Sequence, residues 1–257
     1  MKHRLARHFF PATLVAATLA MCPAHAAAST IVLTPTKDNT LFGPTDKSDG
    51  LGDELFAGRS GHGDIMRALL AFDVVGSLPT GALINSATLS LTVTTPQNHA
   101  STVNVFTLLA DWGQGVSSAA RGGATGANAA TNDATWNVRF FNVPGTAWAT
   151  PGGDFALDAR ATQFITGSTV TAEFASADLA ADVQSWLTNP AGNFGWMLRA
   201  QDEVSTGIAI RFASRESAIG KPALTINYTV AAIPEPTTLT LLAGMTVLGY
   251  VLLRRRR

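Results

Sequence analysis

The sequence predicts an all-β domain, a jelly-roll-like two-sheet β-sandwich with one short helix, lying between an N-terminal leader and an apolar C-terminal tail. Three observations carry this. Both ends of the 257-residue chain have the charge and hydropathy pattern of addressing segments. Between them lie short alternating or apolar runs rich in Thr, Val, Ile, Leu and Phe, bounded by Gly, Pro, Asn and Asp. One stretch departs from that pattern and has helical spacing.

At the N-terminus, Lys2, Arg4 and Arg7 precede the apolar run from Phe9 to Met21, and Ala24-His25-Ala26 supplies a small-x-small site. Residues 1–26 therefore read as a signal peptide, with signal peptidase as its processor and Ala27 as the first residue of the mature chain. A retained anchor is disfavoured by the short apolar run. Leu19-Ala20-Met21-Cys22 loosely resembles a lipobox, but Met21 is large for the position before a lipidated cysteine. Cys22 is the only cysteine and leaves with the leader, so the mature domain has no disulfide and no thiolate metal site.

Residues 27–230 are enough for one domain with a substantial core. Between the leader and Pro234 the chain carries 11 Lys/Arg and 17 Asp/Glu, a formal charge of −6 hidden in the neutral total by the basic ends. An acidic surface without a Lys/Arg stripe speaks against nucleic acid as a partner and makes cations the more natural small ligands.

The expected strands are 30–34, 66–74, 85–94, 102–109, 170–175, 195–200, 208–213 and 223–230. In one of them, Ala87, Leu89, Leu91 and Val93 fall on one face and Thr88, Ser90, Thr92 and Thr94 on the other, a strand with one buried and one wet face. Residues 177–187 form the exception: Asp178 can cap, Leu179, Val183, Trp186 and Leu187 recur at helical spacing, and Pro190 stops the element. Trp186 sits on that apolar stripe and is assigned to the core. Gly113 to Asn132, dominated by Gly, Ala, Ser, Thr and Asn, reads as a long mobile surface loop.

The tail, residues 231–257, opens with Pro234-Glu235-Pro236, continues through an uncharged run from Thr237 to Leu253, and ends in Arg254, Arg255, Arg256 and Arg257. Seventeen helical residues reach roughly 25 Å, enough for one thin crossing with snorkelling arginines, and the arginines place the C-terminus in the cytoplasm. Pro-Glu-Pro, apolar helix and Arg cluster in that order resemble the PEP-CTERM sorting signal. The resemblance implies exosortase as processor, transient anchoring in the inner membrane of a Gram-negative bacterium, and delivery to the cell surface or extracellular matrix.

The domain itself resembles the DNRLRE, or disaggregatase-related, family. The matching pieces include Asp38 with Thr40, Gly50-Leu51-Gly52 leading to Leu55-Phe56-Ala57-Gly58, and Arg67-Ala68-Leu69-Leu70-Ala71-Phe72-Asp73. Further along come Asp111-Trp112, Ala134-Thr135-Trp136-Asn137, Gly152-Gly153-Asp154-Phe155, Asn193-Phe194-Gly195-Trp196 and Phe212-Ala213-Ser214-Arg215-Glu216. Ala71, where the family most often has Arg, and the Gly-rich insertion before Thr135 depart from the pattern. The resemblance implies a jelly-roll-like accessory module, with carbohydrate binding in some members.

Chemistry-bearing motifs are sparse. His62 and His99, the two histidines outside the ends, lie apart, and no nucleophile elbow or His-Glu-x-x-His pattern exists. The acids Asp53-Glu54, Asp202-Glu203 and Glu216 could serve a glycosidase only if two of them converged. Glu216 is instead expected to pair with Arg67 or Arg199. Asp46, Asp49, Asp53 and Asp38 offer the hard oxygens that Ca²⁺ prefers, against the alternative of a solvated acidic turn. For exopolysaccharide, an exposed indole would provide the flat apolar face, with Trp148 and Trp112 as candidates and Trp136 assigned to packing. The functional expectation is an exported, non-catalytic surface or biofilm-matrix protein that contacts exopolysaccharide. Its rivals are an extracellular carbohydrate-active enzyme and a purely structural matrix component.

Overall fold

The computed structural model of the protein describes residues 27–94, 99–119, 124–230 and 236–255. The leader, with Ala24 and Ala26, lies outside the described residues, as do Pro234, Glu235, Arg256 and Arg257. Residues 26–231 form one unit, and the C-terminal helix belongs to another.

The strands, in chain order, are β1 (Ala27–Leu33), β2 (Lys37–Gly43), β3 (Lys47–Ser48), β4 (Glu54–Arg59), β5 (Ile65–Ala71), β6 (Leu83–Thr92) and β7 (Ser101–Thr107). They continue with β8 (Ala127–Asn128), β9 (Ala161–Ile165), β10 (Thr171–Ala175), β11 (Trp196–Ala200), β12 (Ile210–Ala213) and β13 (Ala223–Val230). They build two sheets. The smaller runs β1-β13-β6-β10; the larger runs β8-β3-β2-β5-β11-β7-β9, with β4 beside β5 and β12 beside β4. The two-sheet, mostly β architecture is the expected one.

β6 shows why. Ala87, Leu89 and Leu91 are buried while Ser86, Thr88, Ser90 and Thr92 are half-buried, so one face turns to the core and the other outward. Facing it, Leu70 and Phe72, Trp196 and Leu198, and Val103 and Val105 come from the larger sheet and join the same core. Each such side chain, fully withdrawn from water, contributes roughly 1.5–3 kcal/mol.

Helix α1 (Ala177–Thr188) closes this core with Leu179, Val183 and Trp186, whose ring lies 4.6 Å from that of Trp196. Its cap is Ser176, not Asp178: the Ser176 hydroxyl accepts from the Leu179 amide at 3.0 Å, and Asp178 sits in the first turn, where it complements the helix dipole. Asp182, also buried, accepts from the Trp196 indole at 2.8 Å and from Thr107, with Arg160 at 3.4 Å.

The larger sheet is buried on its other face as well. Leu41, Leu69, Ala71 and Met197 pack there against Leu108, Trp112, Ala134, Trp136 and Trp148. The cover comes from Leu108, Trp112, Ala134, Trp136 and Trp148 in the long connection between β7 and β9, on either side of the 113–132 loop, whose described residues other than Ser117 are exposed or half-buried as expected. Asp133 ties its described part down: its carboxylate accepts from the amides of Val116 (2.8 Å), Ser117 and Ala130, and β8 pairs with β3. Arg67 adds a second fastening. Its guanidinium forms a two-point pair with Glu203, both bonds 2.8 Å, donates to the Gly152 carbonyl, and lies 4.6 Å over the Trp136 ring.

Helix α2 (Pro236–Arg255) contains the expected apolar run and takes in Pro236, Arg254 and Arg255. Its residues from Met245 onward that bear large apolar side chains are exposed. Among the described residues no helix is long and apolar enough to cross a membrane. The run expected at 237–253 lies within α2.

Candidate functional site

The indoles expected to stack on sugars are not available to do so. Trp112 is 1% exposed and Trp148 4% exposed. Trp112 donates its indole hydrogen to the Phe194 carbonyl and Trp148 to that of Thr135, each at 2.9 Å, and Lys37 sits 4.5 Å over the Trp112 ring. Both are correctly paired interior residues of the covering layer. The loop setting of Trp148 suggested exposure because the second apolar layer beneath it is invisible to local pattern.

What Trp148 supports is a shallow depression of about 430 Å³ on the outer surface, whose lining includes Asp46, Asn137, Phe140, Phe141, Asn142 and Pro144. The Trp148 amide donates to the Asn137 carbonyl, and Asn137 in turn donates from its side chain to Asp46 at 3.0 Å. Thr146 bonds the Phe140 and Val143 carbonyls, which fixes the turn carrying the two phenylalanines, and Asn142 takes the left-handed conformation the turn needs, with φ 60°. Phe140 and Phe141 are half-buried, so each keeps ring surface in contact with solvent, beside the exposed amides of Asn137 and Asn142 and the exposed carboxylate of Asp46. Apolar ring faces flanked by amide and carboxylate groups are the chemistry that holds a hydroxylated ring. These phenylalanines went unassigned in the sequence; the signal was two adjacent aromatics outside any strand pattern, immediately before Asn-Val-Pro-Gly.

The four aspartates proposed for Ca²⁺ do not form a cation cage. Asp38, 1% exposed, accepts from the Arg215 amide at 2.7 Å and stands beside Glu216; burial, together with that neighbouring carboxylate, pushes its carboxyl up to about 8. Asp49, 2% exposed, accepts from Ala119 at 2.7 Å, and burial pushes it up to about 6 against the pull of that amide. Asp46 and Asp53 are exposed, Asp46 in the depression already described. Among the described residues no group of three or more Asp, Glu, His or Cys side chains could hold a metal ion.

Three further acids singled out from the sequence have neighbours that engage them. Glu203 is shared between Arg67 and Arg199, each at 2.8 Å; burial opposes its charge, but the two guanidinium partners outweigh this and hold its carboxyl below the usual range. Asp202 is a surface turn residue, lowered by its hydrogen bonds from Ser205 and Val204. Glu216 pairs with Arg215 at 3.1 Å and accepts from Gln114, not from Arg67 or Arg199 as expected; those arginines are taken by Glu203. Ser214, in the same turn, donates to the Gly52 carbonyl and makes the Phe212 to Glu216 segment a clasp on the 49–54 turn.

Residues 232–257 match the family described as the PEP-CTERM protein-sorting motif. No curated protein matches the chain. The match covers the tail and not the sandwich, so the DNRLRE resemblance rests on the residues quoted for it. The tail is similar to a motif that implies exosortase processing, and with it export, a membrane-anchored stage and release to the outside.

Proposed function

We propose that this protein is a non-catalytic surface or biofilm-matrix component: signal peptidase removes residues 1–26, the tail helix holds the chain briefly in the inner membrane of a Gram-negative cell, and exosortase then releases the domain. The observation that carries the reading is the sorting motif at 232–257, directly after a domain that ends on its own paired strand, β13. Cleavage within the 231–236 region leaves the pairing of β13 with β1 and β6 whole. Cleavage before Ala27 does the same at the other end, since β1 starts there, opposite Val230. The short helix is compensated at the bilayer by local thinning and by its terminal arginines.

On this reading the jelly-roll-like, DNRLRE-like sandwich contacts exopolysaccharide through the Phe140-Phe141 depression, with Asn137, Asn142 and Asp46 taking hydroxyl groups. Absence of catalysis is favoured at Glu203, whose carboxyl two arginines hold below its usual range, since a proton donor in a glycosidase needs a carboxyl held neutral near the scissile bond. Binding of the host's exopolysaccharide by the full chain, measured by affinity electrophoresis, tests the contact. Retardation that weakens about fivefold or more in Phe140→Ala with an unchanged melting temperature supports it, one lost aromatic contact being worth about 1 kcal/mol. Equal retardation of both chains removes it, and sugar release from the gel polymer would favour the enzyme reading.

A further inference from the structure

A second cleft, of about 400 Å³, opens on another part of the same domain, and its lining differs in character. Arg59, Arg211, His62 and His99 line it around a floor that includes Phe56 and Met66. Four nitrogen-bearing side chains meet in one cleft on a domain whose formal charge is −6. Neither guanidinium is fully committed. Arg59 spends Nε on the Gly63 carbonyl and Nη1 on those of Glu203 and Val204, makes no ion pair among the described residues, and keeps Nη2 without a hydrogen bond there. Arg211 stands over the Phe56 ring at 5.6 Å and reaches Glu54 only at 3.6 Å, too far for a hydrogen bond. The nearest acid in the same turn, Asp64, faces Ser60. His62 is exposed, and an imidazole can donate a hydrogen bond whether neutral or charged.

We propose that this cleft binds a tetrahedral oxyanion, the phosphate or sulfate group of an ester or of the free ion. Two guanidinium groups and the His62 imidazole come from separate strands and the turn between them, β4, β12 and the β4–β5 connection, and a phosphoryl or sulfo group presents three or more oxygens in different directions to such donors, whereas the two oxygens of a carboxylate lie in one plane. The apolar floor then lies under the body that carries the group. This site is separate from the Phe140-Phe141 depression and does not rest on exopolysaccharide contact.

The test is calorimetric titration of the full chain, in micelles of uncharged detergent and at constant ionic strength, with inorganic phosphate, glucose 6-phosphate and glucose. The expected result is saturable one-to-one binding of phosphate, no binding of glucose, and affinity about tenfold weaker in Arg59→Gln, the loss of one charge-assisted hydrogen bond. His62→Ala, a change at an exposed side chain, is expected to weaken it severalfold with the melting temperature unchanged. Tighter binding of glucose 6-phosphate than of phosphate assigns the group to an ester, and equal binding assigns it to the free ion. No saturable phosphate binding, or equal affinity in both variants and the parent, overturns the proposal. A failure of exopolysaccharide binding leaves these readouts untouched.

Discussion

Asp38 shows how a single buried carboxyl sets a property of the whole domain. In the unfolded chain it titrates at its ordinary value of 3.8; in the folded chain it is raised to about 8, and Asp49 is raised to about 6. Between those values the folded state binds more protons than the unfolded one, so stability falls as pH rises through that window and levels off above it. Glu203 acts in the opposite sense, lending stability above its ordinary range that is lost on acidification. Urea midpoints measured from about pH 5 to about pH 9 should therefore decline, and Asp38→Asn, which keeps an oxygen for the Arg215 amide, should flatten the decline. A slope unchanged by the substitution would place the proton elsewhere. Trp148 supplies the other residue-scale prediction. Truncation to Ala should cost about 3–5 kcal/mol of stability, because it empties a buried site and leaves the Thr135 carbonyl without its donor. A sugar-platform tryptophan at the surface would cost little, so a chemical denaturation curve separates the two roles.

The elements follow from patterns of differing legibility. β6, β13 and α1 were readable because each has one dry and one wet face at the period of its secondary structure. β2 was not, because its Lys37-Asp38-Asn39-Thr40 opening looks like a turn; Asp38, Asn39 and Thr40 are buried, and Asn39 is satisfied by Ser48 of β3 and by the carbonyls of Gln114 and Ala134 in the long connection. β4 and β9 were missed for a related reason, being short and set by pairing with β5 and β7 rather than by alternation. Close approach matters more than pattern at Gly195, which enters β11 with φ 81° and whose added Cβ would collide with the Leu70 carbonyl. Gly195→Ala should cost about 1–3 kcal/mol through the left-handed backbone alone, and more through that collision. A loss below that range in thermal unfolding would mean that β11 can shift away from β5.

At the scale of the whole molecule, composition and the two ends were more informative than any internal motif. The sorting tail is a linear signal, read by its residues in order, and so was legible without a fold. The candidate contact surface was not, since it depends on a second apolar layer that turns Trp112 and Trp148 inward and leaves Phe140 and Phe141 at the rim. The acids were legible as a group but not in their engagement, because Arg67, Arg199 and Glu203 are brought together across a separation of 136 residues. The account joins these parts into one sequence of events: export, brief anchoring, cleavage near Pro234-Glu235-Pro236, and release of a domain that begins and ends on the paired strands β1 and β13. Its most direct test is the intact mass and cell fraction of the protein from its host, from a strain lacking exosortase, and with Pro234, Glu235 and Pro236 replaced by alanine. The account predicts loss of the tail and appearance outside the inner membrane in the first case only; a wild-type chain that still carries residues 237–257 and stays in the membrane would contradict it.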